Sequence, residues 1–313
     1  MSAPLVLLPE NPMPEGGEAF WLRAEDGARL RCIKWTGGNC SRGTVFLFGG
    51  RTEFAEKYFE VTGELRRRGF AVVTMDWRGQ GLSSRLLADP RKGHVGDFAQ
   101  FDRDLARLMI SVAPAMPRPW VALAHSMGGQ ILLRAAHDRP EWFSRIALSA
   151  PMFGLRASPW MGRAIRGVTS LLHVLGRDEE FVPGGNGKAA DETPFKKNIL
   201  THDERRYELL QALLRAEPAL GIGSATVGWL RAAFRSMDMT SARDYLIRIR
   251  APLLICEAEE DALVSGNALA HAALHVPDAR LVTVPGSRHE VLIERDEARA
   301  VFWGAFDSFT AQA

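Results

Sequence analysis

A series of short, almost continuously apolar runs, separated by amphipathic stretches, constrains this chain more than any other feature. The runs are residues 44–48, 70–75, 120–123, 145–149, 252–256 and 279–284. A strand that is apolar on both faces must be covered on both, as in parallel, layered sheets. Between the runs, Tyr58, Val61 and Leu65 fall on one helical face, and Phe98, Phe101, Leu105, Leu108 and Val112 form a second stripe. This alternation predicts an α/β fold: a mostly parallel sheet with helices on both faces. Ahead of it, residues 19–23 and 29–35 flank Asp26-Gly27, which predicts an antiparallel hairpin. Residues 296–308 predict a closing helix.

One interval breaks the alternation. Residues 151–251 separate two strands that a crossover unit of about 30 residues would join. A structureless loop of that length does not fit a compact domain. The interval is therefore expected to carry helices of its own. Residues 206–216 contain Tyr207, Leu209, Leu210, Leu213 and Leu214 as a helical face, residues 227–237 predict another helix, and Pro183-Gly184-Gly185-Asn186-Gly187 marks a loop. At 313 residues the chain is long enough for one large core plus such an insertion.

Composition excludes several function classes. Hydrophobic content of 46% and charged content of 24% are ordinary for a globular protein. A net charge of +2 and the lack of a dense Lys/Arg block argue against a nucleic-acid partner. Arg66-Arg67-Arg68 reads as a helix end, where cations suit the dipole. No apolar run approaches the roughly 18 residues of a membrane span, and the N-terminal stretch, broken at Pro9, makes a poor signal peptide. Cys32, Cys40 and Cys256 offer neither a disulfide framework nor metal-ligand spacing. The expectation is a reduced, cytoplasmic protein that uses no metal or cofactor. The sequence sets no oligomeric state.

The chemistry centres on Ala124-His125-Ser126-Met127-Gly128-Gly129, between the 120–123 strand and a helical stretch at 130–136. A serine flanked by small residues at a strand-to-helix turn is the nucleophile-elbow pattern. A serine nucleophile needs a base, and the base an orienting acid, in the chain order Ser, acid, His. Glu257, Glu259, Glu260 and Asp261 follow the 252–256 strand, and His289 follows the next one. Strand-end loops are where such residues belong. His271, His275, His137, His173 and His202 read as packing or surface residues. His125 takes a structural hydrogen-bonding role with its side chain away from the pocket, and His94 organises a loop. An oxyanion hole needs two backbone N–H groups. One falls to Met127, and the other to the Gly49-Gly50-Arg51 loop, where glycine permits close approach.

The chain resembles α/β-hydrolases of the monoacylglycerol lipase and lysophospholipase L2-like group. Residues 48–58, Phe48-Gly49-Gly50-Arg51-Thr52-Glu53-Phe54-Ala55-Glu56-Lys57-Tyr58, are similar to that group's His-Gly-x-x-Glu-His-x-x-Arg-Tyr stretch. Asp76-Trp77-Arg78-Gly79-Gln80-Gly81-Leu82-Ser83 is similar to its Asp-x-Arg-Gly-x-Gly-x-Ser loop. Gly93-His94-Val95-Gly96-Asp97-Phe98, the Ser126 turn, Asp261 and His289 complete the likeness over about residues 18–310.

The resemblance implies an eight-stranded α/β-hydrolase sheet with an inserted helical cap. It implies a catalytic triad of Ser126, Asp261 and His289, and oxyanion donors at the N–H groups of Arg51 and Met127. It also implies a small-molecule lipid ester as substrate, either a monoacylglycerol or a lysophospholipid. Residues 1–17 are then an extended N-terminal segment, 18–150 and 240–313 the core, and 151–239 the cap. Gly50, Leu171, Leu213 and Trp229 are the substrate-lining candidates, and the cap offers a transient contact with a membrane surface. Two departures stand out: Gly49-Gly50 replaces His-Gly, and Phe54 replaces the second histidine. Arg51 is bulkier than the usual residue and has two readings, an anion contact or a solvent-facing side chain.

Two alternatives share the scaffold. A proline iminopeptidase-like peptidase needs an acidic cap site for a substrate amine, for which Glu179-Glu180 and Asp191-Glu192 are candidates. A non-catalytic ligand-binding protein would not require all three triad residues. An epoxide hydrolase or dehalogenase carries Asp where this chain has Ser126.

Overall fold

The computed structural model describes residues 2–38, 40–189 and 193–311. In chain order the elements are β1 Gly17–Arg23, β2 Arg29–Trp35, β3 Thr44–Phe48, α1 Phe59–Arg67, β4 Ala71–Met75, α2 Ala99–Ser111, β5 Trp120–His125, α3 Met127–Asp138 and β6 Arg145–Ser149. There follow α4 Pro159–Val174, α5 Glu204–Ala216, α6 Val227–Thr240, the short α7 Arg243–Leu246, β7 Leu253–Ala258, α8 Gly266–His275, β8 Ala279–Val284 and α9 Asp296–Thr310. One eight-stranded sheet has the order β1-β2-β4-β3-β5-β6-β7-β8. The β1–β2 and β2–β4 pairs are antiparallel and the remaining pairs are parallel. The fold is the expected α/β-hydrolase architecture.

Strand alternation explains why both faces are covered. Phe46, Phe48, Ala122 and Ala124 point into one core, with α2, α3 and α8 packed over it. Val45, Leu47, Val121 and Leu123 point into the other, beneath α1 and α9. Each large apolar side chain fully buried this way stabilises the fold by roughly 1.5–3 kcal/mol before entropy is counted. The parallel strands send their carboxyl ends to one edge of the sheet, and the loops there hold the candidate site residues.

The segment between β6 and β7 packs unevenly. Trp229, Ala232, Ala233, Phe234 and Met237 of α6 join the same core as α2 and α3. Helix α6 continues through Thr240, so the chain returns toward the sheet within a helix. Helix α5 builds a satellite cluster in which Leu210, Leu213 and Leu214 meet Phe54 and Leu220. Helix α4 buries Thr169 but leaves Trp160, Leu171, Val174 and Leu175 exposed. Among the described residues no helix is long and apolar enough to cross a membrane. Cys32, Cys40 and Cys256 are free thiols.

Candidate active site

β5 delivers Ser126 to the carboxyl edge of the sheet and α3 starts at the next residue. The turn between them is tight enough to hold Ser126 at φ 49°, ψ −114°. That left-handed conformation costs of order 1–3 kcal/mol and must be imposed by its surroundings. The Ser126 N–H donates to Ser149 O at 3.0 Å, while its carbonyl accepts from Gly129 and Met152 at 2.9 Å each. A Cβ at Gly128 would lie 2.7 Å from Gly49 O, so only glycine lets the β3 loop close against the turn. Thr52 and Ala150, the other non-glycine residues with positive φ among those described, flank the same region.

The histidine and acid loops converge on this serine. His289 Nε2 lies 3.0 Å from Ser126 Oγ, and His289 Nδ1 lies 2.7 Å from Asp261 Oδ2. A carboxylate can only accept here, so Nδ1 carries the hydrogen and Nε2 offers a lone pair to the hydroxyl. Asp261 Oδ1 in turn accepts from the N–H groups of Leu263 and Val264 at 2.7 and 2.9 Å. Burial alone would raise the Asp261 carboxyl. The His289 hydrogen bond and the two backbone donors outweigh it and hold Asp261 below the usual carboxylate range. The three glutamates are spent elsewhere: Glu257 Oε2 faces Thr283, Glu259 accepts from Gly286, and Glu260 lies 3.3 Å from His202. The sequence alone left these four acids open; the fold brings only Asp261 to His289.

The β3 loop approaches from the other side. Gly50 N–H donates to Glu53 Oε2, so that donor is occupied. The Gly50 carbonyl accepts from Gln80 Nε2 at 2.6 Å, and Gly49 O accepts from Trp77 Nε1 at 3.0 Å. The Asp76–Ser83 motif thus clamps the 49–53 loop against Ser126. A Cβ at Gly50 would lie 3.0 Å from Ser126 Cβ. The backbone N–H groups of Arg51 and Met127, the sequence-derived pair, have no acceptor among the described residues. Met127 is the first residue of α3, so its N–H belongs to the orphan donors of a helix start.

Beside the histidine lies a buried polar group that sequence reasoning did not single out. Lys57 Nζ contacts Glu53 Oε1 at 2.6 Å and Glu290 Oε1 at 2.5 Å, and Tyr58 Oη donates to Glu53 Oε2 at 2.5 Å. Burial would raise the Glu53 carboxyl, but the Lys57 ammonium, with His125 and Tyr58, holds it at about 2. Glu290 goes the other way, pushed up by burial because one ammonium serves two carboxylates. The His125 ring sits 4.7 Å from the His289 ring and Nδ1 donates to Ser149 O at 3.0 Å. Its structural hydrogen bond is as expected, but its ring faces the site histidine. Burial lowers the His125 imidazole to about 4, so it is neutral near pH 7. Glu53, His125 and Glu290 have the donor atoms of a cation site. The Lys57 ammonium occupies the space between the two carboxylates, while Glu290 Oε2 is buried without a hydrogen-bond partner. Residues 53–58 carried the signal in sequence, but only as part of a motif.

The substrate-lining candidates are scattered. Gly50 touches the serine turn. Trp229 is buried against Phe98, with the Arg51 guanidinium 5.1 Å from its ring. Leu213 is enclosed in the α5 cluster that also holds Phe54, and Leu171 is 61% exposed on α4. Arg51 is half-buried, and its Nη2 donates to Gly223 O at 2.9 Å. Glu180 is exposed and pairs with Arg177, and Glu179 is also exposed. Asp191 and Glu192 lie outside the described residues.

Sheet order, strained serine turn and convergent loops define the class, an α/β-hydrolase. The pattern of the family described as serine aminopeptidase, S33, matches residues 39–296, and the chain belongs to that family. It is 34% identical over 298 residues to lysophospholipase L2 of Escherichia coli (strain K12), covering 91% of this chain and 84% of that one. It is 28% identical over 280 residues to monoacylglycerol lipase of Mycolicibacterium smegmatis, covering 87% and 89%. In structure it resembles a monoglyceride lipase of Saccharomyces cerevisiae, with a TM-score of 0.74, 20% identity, and coverage of 95% and 96%. The protein is a carboxylic ester hydrolase.

Proposed function

We propose that Ser126, His289 and Asp261 are the catalytic triad of a lipase-type serine esterase acting on single-chain lipid esters, lysophospholipids first and monoacylglycerols second. The observation that carries this reading is the hydrogen-bonded line from Ser126 Oγ through His289 to Asp261, at 3.0 and 2.7 Å. The substrate class draws its support from lysophospholipase L2, at 34% identity over 298 residues.

Ser126 Oγ attacks the ester carbonyl carbon as His289 Nε2 takes its proton. The tetrahedral oxyanion accepts from the Arg51 and Met127 N–H groups, donors that need no reorganisation when charge develops. The ester C–O bond then breaks, and His289 returns the proton to the leaving glyceryl oxygen. Water, deprotonated by His289, attacks the acyl-Ser126 carbonyl; the bond to Ser126 Oγ breaks, the fatty acid leaves, and His289 returns the proton to Ser126 Oγ. Asp261 keeps the imidazole in the required tautomer and stabilises its cation.

The 151–239 segment serves as the cap in this reading. The exposed apolar face of α4, with Trp160, Leu171 and Leu175, supports a contact with the lipid surface that supplies substrate. The test is a hydrolysis panel of lysophospholipids, monoacylglycerols, short p-nitrophenyl esters and aminoacyl-prolyl amides, with fluorophosphonate labelling of Ser126. Lysophospholipid and monoacylglycerol turnover, absent in Ser126→Ala, is expected. Turnover of the amides alone would move the protein to the peptidase reading. Absence of labelling in the unmodified protein would favour a binding protein.

A further inference from the structure

Arg51 is half-buried and differs from the fully buried arginines. Arg31 is paired with Glu56 and Asp76, Arg78 with Asp26 and Asp104, and Arg206 with Glu60, Asp203 and Asp296. No carboxylate among the described residues pairs with Arg51. Its Nη2 meets a backbone carbonyl, Gly223 O, and its Nε is buried with no hydrogen-bond partner. Arg85 also lacks a carboxylate, but its Nε, Nη1 and Nη2 all reach carbonyl oxygens. Burial lowers the Arg51 guanidinium to about 10, which leaves it charged near neutral pH. A half-buried charge without a counter-ion carries a desolvation cost, and the buried Nε donor without an acceptor adds to it.

The place of this charge gives it a use. Arg51 carries the backbone N–H assigned above to the ester oxyanion, so its side chain starts at the reacting carbonyl. In a lysophospholipid acylated at a terminal glycerol carbon, six bonds separate the ester carbonyl carbon from phosphorus, about 7 Å when extended. Five bonds separate an arginine Cα from its guanidinium carbon, about 6 Å. The two spans match, and the indole of Trp229, 5.1 Å below, fixes the guanidinium. A planar guanidinium recognises a phosphate through parallel N–H donors, and the unpartnered Nε–H is one of them.

We propose that Arg51 is the headgroup-reading residue of this site, and that its guanidinium binds the phosphodiester of a lysophospholipid while its own N–H binds the ester oxygen. A monoacylglycerol presents a hydroxyl where the phosphate would lie and leaves the charge unpaired. This inference rests on the ester-hydrolase reading of the Ser126 site.

The experiment compares kcat/KM for 1-oleoyl-lysophosphatidylethanolamine and 1-oleoylglycerol, which share one acyl chain. Unmodified protein, Arg51→Met and Arg51→Lys are measured, with thermal melts confirming folding. The ratio of lysophospholipid to monoacylglycerol kcat/KM is expected to fall at least about tenfold in Arg51→Met, mainly through KM. Arg51→Lys, a point charge without the fork, should recover part of the ratio. An unchanged ratio, whether both activities fall together or neither does, overturns the proposal and makes Arg51 a strut for Gly223. Inhibition of 1-oleoylglycerol hydrolysis by inorganic phosphate at lower concentrations than by sn-glycerol 3-phosphate also overturns it, in favour of a free-anion site. Failure of the unmodified protein to hydrolyse either lipid defeats the ester-hydrolase reading itself, and the proposal with it.

Discussion

Lys57 Nζ lies 2.5 Å from Glu290 Oε1, which ties the helix-entry side of the β3 loop to the residue immediately after His289. The same ammonium holds Glu53, whose other oxygen receives the Gly50 N–H. The loop that carries Arg51 and the loop that carries His289 therefore share one buried cation. Replacing it with Lys57→Met leaves two buried carboxylates without a counter-ion, so a loss of about 3–5 kcal/mol is expected in urea unfolding at pH 7. In the variant both carboxyl pKa values rise in the folded state, so protonation favours folding. The deficit relative to the unmodified protein should shrink as pH falls from 7 to 5. A deficit that stays constant with pH would show that Lys57 acts through packing alone.

The triad reading makes separable demands on the acids. Ser126→Ala and His289→Ala should each reduce ester hydrolysis by about 10²-fold or more, and their double variant little further, because such residues act as a unit. Asp261→Asn should also lose most activity, whereas Glu260→Gln, at an exposed side chain, should stay within about twofold. Steady-state kinetics on a p-nitrophenyl ester decides it. An indispensable Glu260 with a dispensable Asp261 would reverse the assignment.

His125 sets a pH limit on stability. Its ordinary value of 6.5 falls to about 4 in the folded protein because burial disfavours the cation. Between those values the unfolded chain binds a proton that the folded chain excludes. The contribution is therefore fully present above pH 6.5 and is lost as pH falls toward 4, of order 3 kcal/mol in total. His125→Asn should flatten this limb of the stability–pH curve, measured by chemical denaturation at half-unit intervals. An unaltered slope would assign the acid limb to other groups.

Two glycines next to positions of very different crowding test the serine turn. Gly128→Ala brings a Cβ within 2.7 Å of Gly49 O and 3.0 Å of Phe48 O, both backbone atoms that cannot step aside. Gly96→Ala meets nothing within 4 Å. The first should lower the melting temperature by several degrees and abolish fluorophosphonate labelling, on the scale of about 1–3 kcal/mol of overpacking. The second should leave both unchanged. Equal labelling of the two variants would mean that the turn tolerates a displaced β3 loop.

The outward face of α4 gives the lipid-surface reading a direct test. Trp160 and Leu171 are 65% and 61% exposed, so replacing both with serine removes apolar surface without opening the core. Binding to phosphatidylglycerol vesicles, followed by sedimentation, should weaken about tenfold or more, while the melting temperature holds. Vesicle binding that survives the double substitution would place the contact elsewhere.

The apolar runs and helical stripes sufficed to predict the sheet, its coverage and the inserted helices, because burial on both faces is written residue by residue along each strand. Thr44–Phe48 and the stripe from Phe98 to Val112 have no other way to leave water. The order of Ser126, an acid and His289 was legible for the same local reason: each follows a strand. The choice of Asp261 over Glu257, Glu259 and Glu260 was not a local matter. It depends on the distance across two adjacent strand ends, and the family likeness picked Asp261 before the fold brought it to His289 at 2.7 Å. Long-range packing alone decided the rest. Leu213 and Leu171 have the same apolar character in sequence, yet one is enclosed in the α5 cluster and the other faces solvent. Lys57 between Glu53 and Glu290, and Arg51 without a carboxylate, depend on which charges the folded chain brings together across more than two hundred residues of sequence. Hydrophobic periodicity is a short-range code and survives in the sequence. Electrostatic pairing is a property of distances in space and dielectric, and only tertiary structure sets those.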